Sequence, residues 1–309
     1  MALLDRVAGA PISWGICEVP GWGTQLPVER VLAEMAEIGL THTELGALGW
    51  LPTDVDALTS VLGEQGLTLL GGFVPLTLHD PHQAEGGRAA AHEAARLLAG
   101  GGARFFITAV TPGPDEFHHI DLDDDQWAHL AAMLAEVEEI VASYGLQQVV
   151  HPHFDTVIER GPEVERLLAD TQVDICLDTA HLAIGGTDVL DLARNHGHRV
   201  GLVHLKDIDT TVARDLSSGE LSLMQAVQRG VFLPLGRGEL PIAEIVASLE
   251  GSGTDLWYVL EQDTAITDGE PSALAGPKLD VCESIDYLRS LDQASAGSVG
   301  GTGTPTQEG

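Results

Sequence analysis

Short apolar runs and longer amphipathic stretches alternate along almost the whole chain. The short runs are rich in β-branched and aromatic residues and predict strands, whereas the longer stretches repeat apolar residues at helical spacing. Eight strands are predicted, at about 10–16, 41–45, 67–76, 103–110, 146–153, 173–181, 199–207 and 255–263. Helices are predicted at about 27–38, 54–65, 86–99, 125–144, 162–169, 187–196, 241–250 and 278–290. This alternation predicts parallel strands joined by helical crossovers.

Eight strand–helix pairs predict an α/β fold, a single (β/α)8 TIM barrel over residues 1–290. Such barrels use about 250 residues as one domain. A doubly wound open sheet is the alternative, but the segment after the first strand, SWGICEVPGWG, lacks the glycine pattern of a phosphate-binding turn. Residues 209–240 form an insertion after the seventh strand, either a lid or a dimer contact. The Gly/Ser/Thr-rich tail, 291–309, is predicted to be disordered.

Four predicted strands change abruptly from apolar to ionisable residues at their carboxyl ends. The segments are VVHPH (149–153), ICLDTAH (175–181), LVHLKD (202–207) and YVLEQD (258–263). In a (β/α)8 barrel these ends meet on the face that carries the chemistry. We therefore predict a mixed nitrogen–oxygen site for one divalent metal, with ligands His151, Asp178, His204 and Glu261.

Each of these side chains also has a simpler structural explanation. Asp178 could cap the following helix, and His204 could be an ordinary core residue. His151 and His153 lie on the same face of their strand. Both could bind the metal, or one could bind it while His153 contacts the substrate. The coincidence of four such strand ends favours the metal site.

Other candidates surround the predicted site. Lys206, one of two lysines in the chain, follows His204 at the predicted barrel mouth. Glu44 ends the second strand and is either a partner of another site residue, a substrate contact or a general base. Trp14 is a candidate wall for a sugar ring, and Arg237 lies in a GRG loop from which it could reach a substrate.

The composition limits the partners. The 47 acidic and 15 basic residues give a formal net charge of −32, which opposes binding to nucleic acid or an anionic membrane. Cys17, Cys176 and Cys282 show no CxxC spacing and are expected to be free thiols in the cytoplasm. We expect a small-molecule substrate and, as a further possibility, a homo-oligomer.

The order of the motifs resembles a known family over residues 8–290. APISWG, TELG, HPH, LDTAH, HLKD, GRG and LEQD resemble the sugar phosphate isomerase/epimerase family, the xylose isomerase-like TIM barrels that include AP endonuclease family 2. Within it the chain is most similar to the inosose dehydratase branch. Asp178, His204 and Glu261 match the family's metal ligands, but His151 stands where many relatives have Glu. His181 and Lys206 match positions around the substrate.

The resemblance implies a metal-dependent enzyme that acts on a keto-sugar or keto-cyclitol through an enediolate. It favours dehydration of 2-keto-myo-inositol, and the alternative is a sugar isomerase or 3-epimerase. An AP endonuclease-type phosphodiesterase fits less well, because the chain is strongly acidic. The implied base is Glu44 or a site histidine, and the implied acid is His181 or Lys206. Mn²⁺ or Co²⁺ is favoured as the metal, with Mg²⁺, Fe²⁺ or Zn²⁺ as alternatives.

Overall fold

A closed barrel of eight parallel strands forms the centre of the molecule. A computed structural model of the chain describes residues 2–114, 116–253, 255–272 and 275–299, the side chains of 294–299 excepted. Each strand pairs with its neighbours in sequence, and the first pairs with the last. This confirms the predicted (β/α)8 barrel. The barrel strands are β1 (Val7–Gly9), β2 (His42–Glu44), β3 (Thr68–Leu76), β4 (Phe105–Val110), β5 (Gln147–Val150), β6 (Asp174–Asp178), β7 (Val200–Leu205) and β8 (Trp257–Leu260).

Helices surround the barrel and connect its strands. Many begin at a polar cap, as Asp54 and Asp123 illustrate, whose carboxylates accept hydrogen bonds from backbone N–H groups of the first turn. No helix in the described part of the chain is long and apolar enough to cross a membrane. The helices are α1 (Val28–Glu37), α2 (Val55–Glu64), α3 (Ala84–Gly100), α4 (Asp124–Ser143), α5 (Gly161–Asp170), α6 (Thr179–Ile184), α7 (Val189–His196), α8 (Thr210–Ser217), α9 (Leu223–Gln228), α10 (Ile242–Glu250) and α11 (Pro277–Val299).

Two apolar layers lie on the two faces of the barrel wall. Successive strand residues point to opposite faces, so Ile107 joins the inner cluster while its neighbour Phe106 packs under the helices. Burial on both faces explains why the strands are continuous apolar runs in the sequence. The inner cluster includes Leu70, Phe105, Val149, Cys176, Leu202 and Val259.

The first strand differs from the prediction. The sequence pattern predicts it at 10–16, but β1 ends at Gly9 and a 3₁₀ helix follows over Pro11–Trp14. Pro11 has no N–H group to donate to a strand ladder, and it starts the 3₁₀ turn instead. Gly15, at φ +81°, ends that turn in a conformation that favours glycine.

The insertion has the helical pattern of its sequence and a short strand besides, and the C-terminal segment contains more helix than its sequence indicated. The insertion includes α8, α9 and the short strand Phe232–Leu233, which pairs antiparallel with Asp207–Ile208 just before the insertion. It packs against Trp22 in a second apolar cluster beside the barrel mouth. The sequence pattern predicts that the last helix ends at 290, but α11 continues to Val299. Part of the predicted disordered tail is therefore helical, and 300–309 lie outside the described residues.

Candidate metal centre

The four predicted metal ligands form one layer inside the barrel, at the carboxyl ends of its strands. Strand side chains alternate between faces, and each ligand lies two positions after an apolar residue of the inner cluster. The pairs are Val149 and His151, Cys176 and Asp178, Leu202 and His204, and Val259 and Glu261. The sequence pattern therefore brings all four to one place, the carboxyl ends of neighbouring strands.

The distances between these side chains are short. His151 Nε2 lies 3.4 Å from Asp178 Oδ2, and His204 Nδ1 lies 3.8 Å from the same oxygen. His204 Nδ1 is also 2.8 Å from Glu261 Oε2. One ligand-type atom from each of the four lies within 4.8 Å of all the others. None of these residues is more than 8% exposed.

Asp178 is both a helix cap and a member of this cluster. Its Oδ1 accepts hydrogen bonds from the backbone N–H groups of Ala180 and His181, at 2.9 and 2.8 Å, and so caps α6. Its Oδ2 faces His151 and His204. The sequence left helix capping and metal binding as alternative roles for Asp178. In the structure both roles are possible at once, because each uses a different oxygen of the carboxylate.

Unpartnered polar atoms show that the cluster fits a cation. In the described part of the chain, His151 Nδ1 and Nε2 are buried without a hydrogen-bond partner, and Asp178 Oδ2 and His204 Nδ1 face other ionisable groups of the cluster. Leaving such an atom unsatisfied costs about 1–3 kcal/mol, so most buried polar atoms have a partner. Two imidazoles and two carboxylates form a ligand set that suits Mn²⁺, Co²⁺ or Zn²⁺. The residues present fit the predicted metal.

Lys206 places one positive charge beside the carboxylates. Its Nζ lies 3.1 Å from Asp178 Oδ2, 2.8 Å from Glu261 Oε2 and 3.0 Å from Asp263 Oδ1. Burial lowers the pKa of Lys206, but these three carboxylates outweigh it and hold the pKa well above its usual value. In return, Lys206 helps to hold the pKa of Asp178 well below its usual value, against the effect of burial.

The neighbouring carboxylate and imidazole pKa values shift in opposite directions. Burial raises the pKa of Glu261, but His204 and Lys206 outweigh it and lower the pKa to about 2. Burial likewise lowers the pKa of His204, whereas Cys176, Glu261 and Glu44 raise it well above its usual value. Before a cation binds, the proton on His204 therefore balances part of the carboxylate charge.

A second group of titratable side chains borders the cluster. The rings of His153 and His181 are 3.8 Å apart between centroids, and His181 Nε2 lies 3.8 Å from Asp263 Oδ2. Burial, with a smaller effect of His151, lowers the pKa of His153 to about 3, and burial lowers that of His181 well below its usual value. Burial also raises the pKa of Asp263 to about 6. Both imidazoles are therefore neutral at neutral pH.

Two residues of the site are not among the candidates that the sequence predicts. Asp263 could have been found by alternation, because it lies two positions after Glu261. Phe232 comes from the insertion and packs its ring 5.5 Å from that of His181 and 5.1 Å from Lys206 Nζ. No local pattern predicts this contact, because it depends on how the insertion folds back over the barrel. Phe73 forms another apolar wall, 5.6 Å from His153 between ring centroids.

The structure does not bring Trp14 or Arg237 to this site. Trp14 is fully buried behind the barrel wall, and its Nε1 donates a hydrogen bond to Glu34 in α1, at 2.8 Å. The Arg237 side chain is 63% exposed and forms an ion pair with Glu283 at the surface. Both residues lie in non-strand segments, whose side-chain directions the strand alternation does not determine.

The GRG loop is held to the barrel by its backbone. Asp207 Oδ2 accepts hydrogen bonds from the N–H groups of Gly236 and Gly238, at 3.0 Å each. A Cβ atom at Gly238 would lie 2.3 Å from the carbonyl oxygen of Ile208. The loop therefore depends on its glycines, whereas its arginine points to solvent.

Substitutions in this loop should accordingly have unequal effects. We expect Arg237→Ala to change the free energy of unfolding by no more than about 0.5 kcal/mol and to leave catalytic activity nearly unchanged. Gly238→Ala should cost about 1–3 kcal/mol because of the steric clash. Urea unfolding and steady-state kinetics on both variants test this. A large loss of kcat/KM in Arg237→Ala would restore Arg237 to the site.

The fold and the site together define a class of protein. A closed parallel barrel whose buried ionisable side chains meet at the carboxyl ends of its strands is a barrel enzyme. The chain belongs to the xylose isomerase-like TIM barrel family, which it matches over residues 32–291. This confirms the family predicted from the motifs.

Curated relatives narrow the class further. The chain is 30% identical to the inosose dehydratase of Geobacillus kaustophilus (strain HTA426) over 275 residues, which cover 84% of this chain and 89% of the relative. It is also 30% identical to the rhizopine catabolism protein MocC of Rhizobium meliloti over 307 residues, 92% of this chain and 93% of the relative. The chain is an enzyme of the lyase or isomerase type, as predicted.

Solved structures share the fold at low sequence identity. An L-ribulose 3-epimerase superimposes with a TM-score of 0.72 at 17% identity and covers 100% of both chains. The IOLI protein, solved with a bound zinc atom, gives a TM-score of 0.68 at 12% identity and covers 94% of this chain and 98% of that chain. These similarities support the barrel architecture.

Proposed function

We propose that this chain is a divalent-metal-dependent hydro-lyase that dehydrates 2-keto-myo-inositol. The observation that carries the proposal is the convergence of four buried ligand-type side chains, some of whose atoms have no hydrogen-bond partner. The relatives named inosose dehydratase support the substrate and the reaction. The zinc atom of the IOLI structure supports a divalent metal in this barrel type.

In this proposal, His151, Asp178, His204 and Glu261 hold one divalent ion, with Mn²⁺ or Co²⁺ favoured. When bound, the ion would act as a Lewis acid toward the substrate carbonyl and the adjacent hydroxyl. The charges of the cluster also indicate which substrate charge the site favours. Lys206 supplies one positive charge against the carboxylates of Asp178, Glu261 and Asp263. That balance favours an uncharged polyol ketone over a sugar phosphate.

His153 is suited to remove the proton next to the ketone. Its Nδ1 lies 2.6 Å from the backbone carbonyl oxygen of Phe154. A carbonyl only accepts hydrogen bonds, so Nδ1 carries the proton and Nε2 keeps its lone pair. Because burial lowers the pKa of His153 to about 3, the ring is neutral and Nε2 can accept a proton. We assign the general base to this atom rather than to Glu44.

The second half of the reaction uses Lys206 and His181. The ammonium group of Lys206 stabilises the negative charge that develops on the substrate oxygen as the α-proton leaves. The proton that His153 has taken up then passes to the departing β-hydroxyl through His181, whose neutral ring is beside that of His153. The α-hydrogen and the β-hydroxyl leave as one water molecule, and the resulting enol ketonises to a 1,2-dione.

One assay tests the function. The metal-loaded protein, incubated with 2-keto-myo-inositol, should produce a dione that is followed by its ultraviolet absorbance. His153→Ala should bind the metal normally but lose turnover by about 10²–10⁴-fold, the usual contribution of a general base. If no dione forms and solvent deuterium enters a ketose instead, the enzyme is an isomerase or epimerase. A wild-type protein that binds no divalent metal would refute the metal-dependent reaction itself.

The cellular compartment in which the enzyme works stays a prediction. Cys17, Cys176 and Cys282 are free thiols, as a reducing compartment requires. We therefore propose a cytoplasmic enzyme with a small-molecule substrate.

A further inference from the structure

Glu44 points into the barrel and lies beside an irregularity in its strand. His42, two positions earlier, packs its ring against Trp257 of the inner cluster, so alternation directs both side chains inward. The pairing between β2 and β3 changes register between Thr43 and Glu44: Thr43 pairs with Leu69, whereas Glu44 pairs with Gly71. Such bulges are common beside active sites. Thr43 Oγ1 donates a hydrogen bond to the Glu44 carbonyl oxygen, at 3.0 Å, within the bulge. Glu44 itself is 3% exposed.

The Glu44 carboxylate contacts the predicted metal ligand His204 on the side of its ring that faces away from the metal cluster. Its Oε1 lies 2.9 Å from Nε2 of His204, a residue on β7, far from β2 in the sequence. The other ring nitrogen, His204 Nδ1, faces the carboxylates of Asp178 and Glu261. The two nitrogens of one imidazole therefore face different partners, one in the metal cluster and one behind it.

This arrangement determines how His204 can bind a cation. A carboxylate accepts hydrogen bonds, so Nε2 must carry its proton toward Glu44. Nδ1 is then the nitrogen that can give up its proton and offer a lone pair, and it lies 2.8 Å from Glu261 Oε2 inside the cluster. A carboxylate behind a metal-bound histidine fixes the ring orientation and makes the imidazole a stronger ligand.

We propose that Glu44 is a positioning residue, which orients His204 and strengthens its binding to the metal, and that it is not the catalytic base. The proposal rests on the metal-dependent function given above. A base must reach a substrate proton. Glu44 instead has one oxygen engaged with His204, on the side of that ring facing away from Asp178 and Glu261.

The test compares metal affinity with turnover in two substitutions. Apoprotein is titrated with Mn²⁺ in competition with a chromogenic chelator, and kcat is measured at saturating Mn²⁺. We expect Glu44→Ala to weaken Mn²⁺ binding by about 10–100-fold, the range for removing such a partner. Glu44→Gln keeps an oxygen that accepts from Nε2 but removes the charge, so its affinity should lie between those of Glu44→Ala and wild type. For Glu44→Gln, kcat at saturating Mn²⁺ should stay close to the wild-type value.

A matched control comes from α1. Glu34 is also buried, at 6% exposure, and its carboxylate accepts a hydrogen bond from Trp14 far from the metal cluster. Glu34→Gln makes the same chemical change and should leave Mn²⁺ affinity unaltered. Glu44→Gln preserves the shape of the side chain, so it keeps the test decisive if Glu44→Ala does not fold.

The outcomes separate this inference from the proposed function. If both Glu44 variants bind Mn²⁺ as tightly as wild type, Glu44 does not position the ligand. If Glu44→Gln binds Mn²⁺ but has no turnover at saturation, Glu44 is the base and the inference is wrong. Failure of the wild-type protein to bind Mn²⁺ refutes the proposed function, and the inference with it.

Discussion

Asp178→Asn is expected to abolish binding of the divalent metal while leaving the fold intact. The amide oxygen of Asn can still accept the hydrogen bonds of the α6 cap, which Oδ1 of Asp178 accepts from Ala180 and His181. An amide group in place of Oδ2, however, is neutral and a much weaker ligand for a divalent ion. Metal content should fall from about one ion per chain to background, with loss of turnover. Elemental analysis after dialysis and a thermal unfolding scan measure the two effects.

Asp178→Ala separates the two roles of the same residue. It removes the cap as well as the ligand, so it should lose the metal and also about 0.5–2 kcal/mol of unfolding free energy. Asp188 provides the control, because its carboxylate caps α7 through the N–H of Asp191, at 2.9 Å. Asp188→Ala should have a similar cost in stability and leave metal content unchanged. An Asp178→Asn protein that retains its metal would show that the site is misassigned.

The convergence of the four ligands could be predicted because two regular features produce it. Closure of a parallel barrel brings all carboxyl ends to one face, and alternation with a period of two determines which residues point inward. His151 and Glu261 follow β5 and β8 directly, so they continue the inward pattern of Val149 and Val259. The same rule extends to Asp263.

Residues outside the regular strands could not be placed in this way. Trp14 lies in a 3₁₀ turn and Arg237 in a loop, and only the tertiary packing shows that both point away from the cluster. Glu44 lies on a strand and points inward by alternation with His42, but its contact with His204 of β7 depends on the packing of the barrel. The contact of Phe232 with His181 depends on the insertion and the barrel together. These are the parts of the site that depend on packing rather than on local periodicity.

Lys206→Met is expected to be among the most destabilising substitutions in the chain. The ammonium group lies within 3.1 Å of oxygens from Asp178, Glu261 and Asp263, all buried. Removing one partner of a buried ion pair leaves an uncompensated charge and costs about 3–5 kcal/mol. We expect a loss of this size in urea unfolding at pH 7. Added Mn²⁺ should recover more stability in this variant than in wild type, because it brings positive charge to the same carboxylates.

The pH dependence of this loss has a defined sign. Lys206 holds the pKa of Asp178 well below its usual value, so the pair adds stability above the unfolded pKa of about 3.9, and this stability is lost as the pH falls. Without Lys206 the buried carboxylates become easier to protonate, and protonation removes the unpaired charge. The difference in unfolding free energy between wild type and Lys206→Met should therefore shrink between pH 7 and about pH 4.

Lys278→Met is the matched control, because Lys278 pairs with Glu37 at the surface and should contribute little to stability at either pH. A Lys206→Met protein as stable as wild type at pH 7, or one whose deficit grows on acidification, would mean that Lys206 does not neutralise these carboxylates.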